Sequence, residues 1–168
     1  MFSQSAKEDF VSILLRGVND GDADRLVALA RDYPVDVRFI ELMPTENGGD
    51  FRKRMIPSGE LLARFPQLSP VPGEDGAADY YAAEGFQGRI GLISPVSKKF
   101  CNDCNRVRLL ADGKCKPCLG QKETADLLPY LYDADRLDEA IRQCIRNKPA
   151  GHHFEKAQGL APMNQIGG

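Results

Sequence analysis

"FVSILLRGVNDGDADRLVALARDYPVDVRFIELMP", residues 10–44, holds two short apolar runs separated by a helical pattern. The first run reads as a buried strand, stopped at a turn by Gly17, Asn19 and Asp20. In the middle, Leu26, Val27, Leu29 and Ala30 recur at helical spacing, with Asp residues near the start and Pro34 after the end. "VDVRFIELMP" is a second strand, closed by Pro44. Strand, helix and strand over this length make one βαβ unit with parallel strands. Parallel strands are normally covered on both faces and sit in sheets of several strands. Nothing before residue 10 supplies the neighbours, so the unit is expected to dock onto a partner or to be a piece of something larger.

Working outward, "TENGGDFRKR" at 45–54 reads as a polar loop, and "IPSGELLARFP" as a short helix with Ser58 as its cap and Pro66 as its stop. "YYAAEG", "GRIGLISPVS" and "RVRLLADGKCKPC" offer short strands punctuated by Gly, Pro and an Asp-Gly turn, an antiparallel pattern. "ADRLDEAIRQCIRNK" is an amphipathic helix with Leu137, Ala140, Ile141, Cys144 and Ile145 on one stripe, which makes Cys144 a core residue. The tail "GLAPMNQIGG" has no periodicity, and no internal repeat is present.

Composition narrows the function classes. The chain has 168 residues, 42% of them hydrophobic and 27% charged, which excludes wholesale disorder and suits one domain or a small domain with part of another. No apolar run approaches the roughly 20 residues of a membrane span, and the amino terminus does not read as a targeting signal, so the expectation is a cytoplasmic protein with no membrane partner. A net charge of −2 argues against nucleic acid as a partner. Between Lys98 and Lys122, however, seven Lys or Arg stand against two Asp, a local excess that suits bound thiolates or an anion.

Four of the five cysteines fall in "FCNDCNRVRLLADGKCKPCLG", residues 100–120. Clustering of this kind points to metal rather than to a secreted disulfide framework, although local disulfides are a further option. Two Cys-x2-Cys elements, Cys101 with Cys104 and Cys115 with Cys118, match the four ligands of a structural zinc ribbon, with a spacer shorter than usual. Against that, a two-residue Asp112-Gly113 hairpin turn sets Cys118 opposite Val107 and Cys115 opposite Leu110. Cys115 and Cys118 would then point to opposite faces, favouring Cys101, Cys104 and Cys118 as a set of three. Arg106 and Arg108, two apart on a strand, share a face and carry planar donor forks suited to phosphate. Three thiolates on an iron–sulfur cluster leave one iron open to a substrate atom, whereas a four-cysteine zinc site is closed.

Taken together, "VDVRFIELMP", "FCNDCNRVRLLADGKCKPCL" and the terminal "IGG" resemble the carboxy-terminal half of the GTP 3′,8-cyclase family, molybdenum cofactor biosynthesis protein A, whose members are radical S-adenosylmethionine enzymes. The resemblance implies an α/β chain. Residues 1–44 would be a remnant of a partial TIM-type barrel, its one βαβ unit. Residues 45–168 would be an α+β domain with antiparallel strands, an auxiliary [4Fe-4S] cluster and a Gly-Gly tail. The family pattern Cys-x2-Cys-x13-Cys falls on Cys101, Cys104 and Cys118 as cluster ligands and leaves Cys115 aside. It implies GTP binding by Arg106, Val107 and Arg108, contact with S-adenosylmethionine by Met43, and a tail ending in Gly167 and Gly168 that reaches the active site.

The chain also departs from the family. The Cys-x3-Cys-x2-Cys pattern of the cluster that cleaves S-adenosylmethionine does not occur in the sequence. A GTP-binding Lys of the family aligns with Asp9, and the tail's Arg-x-Met becomes Ala161-Pro162-Met163. The resemblance therefore implies the GTP- and [4Fe-4S]-binding part of a GTP 3′,8-cyclase, a molybdenum cofactor enzyme, inactive by itself. S-adenosylmethionine would matter only if a complementary amino-terminal half, or a homodimer, completed the site. A non-catalytic zinc-binding module and a decayed fragment are the alternatives.

Overall fold

The computed structural model describes residues 9–44, 51–73 and 76–154. The chain divides into two compact units, and the first comprises residues up to 43 together with 50–99. Its sheet starts with β1 (Asp9–Ser12) and β2 (Asp36–Ile40), joined by helix α1 (Ala23–Asp32), as the sequence predicts. The two strands are parallel, Phe10 facing Val37 and Ser12 facing Phe39. α1 buries Ala23, Val27 and Ala30, three positions on one helical face. Pro34 and the extended Tyr33 end it.

The neighbours that β2 needs come from downstream. After two short helices, α2 (Phe51–Arg54) and α3 (Ser58–Arg64), the chain forms β3 (Ser69–Val71), β4 (Ala78–Ala82) and β5 (Arg89–Ile93). The spatial order is β1-β2-β5-β4-β3, with β5 parallel to β2 and β4 antiparallel to β5. The antiparallel expectation for "GRIGLI" is thus corrected on one of its sides. A fully apolar run suits a central strand covered on both faces, and β5 buries Ile90, Gly91 and Leu92. The sheet therefore continues past residue 44, with β5, β4 and β3 following β2.

Three smaller expectations change. β1 is mostly exposed rather than buried, because among the described strands it has one neighbour, β2. α2 lies within what the sequence reads as loop. Ser58 is the first residue of α3 rather than its cap; Pro57 stands at the cap position. The core joins Leu14, Val27, Val37, Phe39, Leu61 and Phe65 to Ile90 and Leu92. On the other side of β2, Asp36 is buried and held by the Arg89 guanidinium, Nε to Oδ1 at 3.1 Å. Tyr80 lies under that guanidinium, 4.2 Å from ring centroid to Cζ.

The second unit contains residue 44 and residues from 100 onward. Its sheet has three short antiparallel strands, β6 (Arg108–Leu109), β7 (Lys114–Lys116) and β8 (Ala125–Asp126). Helix α4 (Ala134–Arg146) is capped by Asp133, whose carboxylate accepts the Arg136 amide. Its apolar stripe packs Leu137, Ala140 and Ile141 around buried Cys144, with Cys115 and Leu127. Ile145, expected on that stripe, is exposed. Among the described residues, no helix is long and apolar enough to cross a membrane.

Candidate metal centre

The β6–β7 hairpin sets the phase of the cysteine segment. Its loop is longer than a two-residue Asp-Gly turn: the Leu110 amide donates to the Lys114 carbonyl at 2.8 Å, and the Gly113 amide donates to the Leu110 carbonyl at 3.0 Å. Residues 111–113 form the loop, with Gly113 at φ +76° in the left-handed region. This is the three-residue hairpin in which glycine follows a tight turn. The register consequently slips by one, pairing Leu109 with Cys115 and Arg108 with Lys116. Cys115 does not face Leu110 as expected, and the strand pairing ends before Cys118. Pro117, which has no amide hydrogen to give the ladder, follows directly on β7.

Burial sorts the five thiols. Cys115 and Cys144 are 4% and 2% exposed and lie in one core cluster, whereas Cys101, Cys104 and Cys118 are half-buried. Burial, then a hydrogen bond with Cys115, pushes the Cys144 thiol up to about 12, as befits a core group. All five cysteines are free, so the local-disulfide option is not realised.

Cys101 opens a 3₁₀ turn, Cys101–Asp103, that the Cys104 amide closes onto the Cys101 carbonyl at 3.2 Å. In such a turn side chains three apart lie nearly over one another, which is what a Cys-x2-Cys pair requires of two ligands. The Lys148 ammonium reaches this turn just beyond α4. It donates to the Cys104 carbonyl at 2.6 Å, the Arg106 carbonyl at 2.7 Å and Cys104 Sγ at 3.3 Å. Burial disfavours the Cys104 thiolate, but the Arg106 amide and Lys148 outweigh it and hold the thiol below its ordinary value.

Cys118 begins a second turn, in which its carbonyl accepts the Gln121 amide at 3.3 Å. Lys116 is buried beside it and donates to the Gln121 carbonyl. Burial lowers its ammonium, against opposing pulls from Cys118 and Glu123. The stretch after Lys148 lies against both turns. Gly151 faces the Cys101 side chain, and His152 and Phe154, both buried, close over Gly120. Among the described residues, no three His, Cys, Asp or Glu side chains converge in the manner of a finished metal site.

The remaining predicted positions fall as follows. Arg106 and Val107 precede β6, so the expected strand carrying both arginines begins only at Arg108. Arg106 is exposed with its guanidinium 5.7 Å from the centroid of Phe100; Arg108 is half-buried. In the first unit, Met43 is half-buried beyond the end of β2, and Asp9 opens β1 in an ion pair with Arg38 at 3.1 Å. Gly167, Gly168 and the 161–163 segment lie outside the described residues.

A further polar group escaped the sequence reading. Glu41, two residues before Met43, is buried and accepts the amides of Ser58 at 2.9 Å, Val96 at 3.0 Å and Ser97 at 2.9 Å, as well as the Ser97 hydroxyl. Burial works against its charge, yet these donors hold its carboxyl below the ordinary value. Its only signal is a lone carboxylate at the end of an apolar strand.

Comparison with known proteins gives a consistent result. The family model described as Molybdenum Cofactor Synthesis C matches residues 35–154. A GTP 3′,8-cyclase of Clostridium acetobutylicum is 39% identical over 162 residues, covering 94% of this chain and 51% of the relative. Those of Alkaliphilus oremlandii and Syntrophomonas wolfei are 40% and 38% identical, covering 93% of this chain and 51% and 52% of their own lengths. The chain thus spans about half the length of the curated relatives it matches.

Proposed function

The chain belongs to the Molybdenum Cofactor Synthesis C family, and from that premise we propose that it is the GTP- and cluster-binding, carboxy-terminal part of a GTP 3′,8-cyclase. The observation that carries this reading is the sorting of the thiols. Three half-buried cysteines, Cys101, Cys104 and Cys118, sit on two turns, and the fourth of the segment, Cys115, is committed to the core with Cys144. That donor set fits three ligands better than four. It is also chemically prepared, because Lys148 and the Arg106 amide already favour the thiolate at Cys104. Metal sites are seldom finished before the metal arrives, so drawing Cys118 up to the other two is assigned to cluster assembly itself.

In this reading Cys101, Cys104 and Cys118 hold a [4Fe-4S] cluster. When bound, the cluster supplies one iron with no protein ligand, to which the guanine end of GTP can coordinate. Arg106 and Arg108 present guanidinium forks to the GTP phosphates, and the backbone at Val107 lies between them. Met43 contributes to the S-adenosylmethionine side. The exposed strand β1 is where the remainder of a barrel would continue, and its exposed Phe10 and Val11 are in keeping with a covering partner. The radical step belongs to the Cys-x3-Cys-x2-Cys pattern that the sequence given does not contain. In this reading the residues of this chain supply the GTP side of the site, and the radical step is left to residues that carry that pattern.

Anaerobic reconstitution tests this, with iron, sulfide and zinc counted per chain and GTP titrated calorimetrically. Four irons that survive Cys115→Ser and are lost in Cys118→Ser, with GTP bound by the loaded form, are the expected result. Zinc without iron, held in a form that protects Cys115 from alkylation, overturns it in favour of a zinc module.

A further inference from the structure

Lys148 has a use for each of its three ammonium protons, and all three uses lie within the short stretch from Cys104 to Arg106. The acceptors are the carbonyl oxygens of Cys104 and Arg106 and the sulfur of Cys104, all within 3.3 Å. Lysine ammonium groups are strongly hydrated and usually stay in water, so a triply coordinated one marks a built contact. Three residues later Gly151 packs beside Cys101: a β-carbon there would stand 3.8 Å from its Sγ. The strap then runs to His152, whose ring stacks on Phe154 at 3.9 Å between centroids and whose Nδ1 accepts the Phe154 amide at 3.4 Å. This pair is packed so closely on Gly120 that a β-carbon at that position would come within 2.6 Å of His152 Cβ. Gly120 belongs to the turn that begins at Cys118.

One segment of seven residues therefore touches both cysteine-bearing turns, at Cys101 and Cys104 through Lys148 and Gly151, and beside Cys118 through His152 and Phe154. We propose that residues 148–154 form a clamp that fixes the two turns relative to each other, and that Lys148 is a positioning residue whose N–H···S bond to Cys104 tunes the bound cluster. The proposal rests on the cluster reading above. Its physical logic is that of the outer shell of metal sites: donors to a ligating sulfur set its orientation and the potential of the metal. A cluster on three thiolates gains negative charge when reduced, and a fixed ammonium at one sulfur favours the reduced form.

The test uses the full chain, reconstituted anaerobically, as wild type, Lys148→Met, Lys148→Arg and Gly120→Ala. Circular dichroism verifies folding, and two quantities are read: the rate of iron loss to a chelator, and the midpoint potential from EPR-monitored titration. Lys148→Met is expected to lose iron about 10-fold faster, the lower end of outer-shell effects, and to shift the potential downward. Lys148→Arg, which keeps the charge, should return the potential towards wild type. Gly120→Ala, which displaces the strap without touching Lys148 or any cysteine, should speed iron loss with a smaller change in potential. Wild-type iron retention and potential in Lys148→Met overturn the proposal. If that variant fails to fold, wild-type retention in Gly120→Ala overturns it alone. A wild type that takes up no iron under these conditions instead removes the cluster reading itself.

Discussion

The two compact units are built on different principles. The first is a five-stranded sheet with a continuous aliphatic core, in which Val37, Phe39, Ile90 and Leu92 of the central strands meet α1 and α3. The second has strands of two or three residues and a buried cluster of Cys115, Leu127 and Cys144, with four partly buried apolar neighbours. What organises it otherwise is polar: the Lys148 ammonium on backbone carbonyls, the Lys116 contact to Gln121, and the Asp133 cap. Small units with thin cores commonly depend on a metal or a partner, because apolar burial alone leaves little surplus over chain entropy. The first unit can rely on burial; the second has a thinner apolar core to draw on.

The largest expected effect bears on that contrast from the first unit. Phe39→Ala, which empties a buried site in the central strand, should cost about 3–5 kcal/mol in denaturant unfolding of the sheet. Iron content after reconstitution should be unchanged. Loss of iron in this variant would mean that the second unit does not stand on its own interactions.

Next comes the polar knot of the first unit. Glu41→Gln replaces a carboxylate that accepts four donors with an amide that offers hydrogens where donors already point, and should cost about 1–3 kcal/mol at neutral pH. The folded-state carboxyl titrates below the ordinary value of 4.5. The fold therefore binds fewer protons than the unfolded chain, and Glu41 contributes its full stabilisation above that value. The contribution disappears as pH falls through the lower, folded value. Unfolding measured from pH 7 down to acid should show a decline that Glu41→Gln flattens; an identical acid profile in the two proteins would remove the assignment.

The smallest effect lies in the hairpin of the second unit. Gly113→Ala places a β-carbon in a left-handed residue, against the Leu128 side chain. A cost of about 1–2 kcal/mol is expected from the backbone alone. Thermal unfolding and amide exchange at Leu110 and Lys114 would report it, with β6–β7 protection falling and that of β2 and β5 staying constant.

Element types were largely legible. The period of Leu26, Val27, Leu29 and Ala30 announces α1, the apolar runs announce β2 and β5, and the stripe of Leu137, Ala140, Ile141 and Cys144 announces α4. Pairing was not. That β5 runs parallel to β2 depends on a crossover of some fifty residues, to which no local pattern points. The hairpin register was missed by one because Asp112-Gly113 fits a two-residue turn as well as the end of a three-residue one, and only the amide partners of Leu110 and Gly113 distinguish them. Glu41 and Lys148 went unnoticed because charges at the end of a strand and just beyond a helix ordinarily face water.

By itself, the sequence determined the cysteine spacing, the order of strands and helices, and the family resemblance, since these depend on residue type and short-range periodicity. Only the tertiary structure decided which thiols are available. Cys115 is withdrawn because a one-residue register and a helix packing bring it to Cys144, and Cys104 is prepared because Lys148, forty-four residues away, arrives at its sulfur. Burial and hydrogen bonding between distant segments are properties of the folded chain, and they sort chemically identical side chains that the sequence presents as equals.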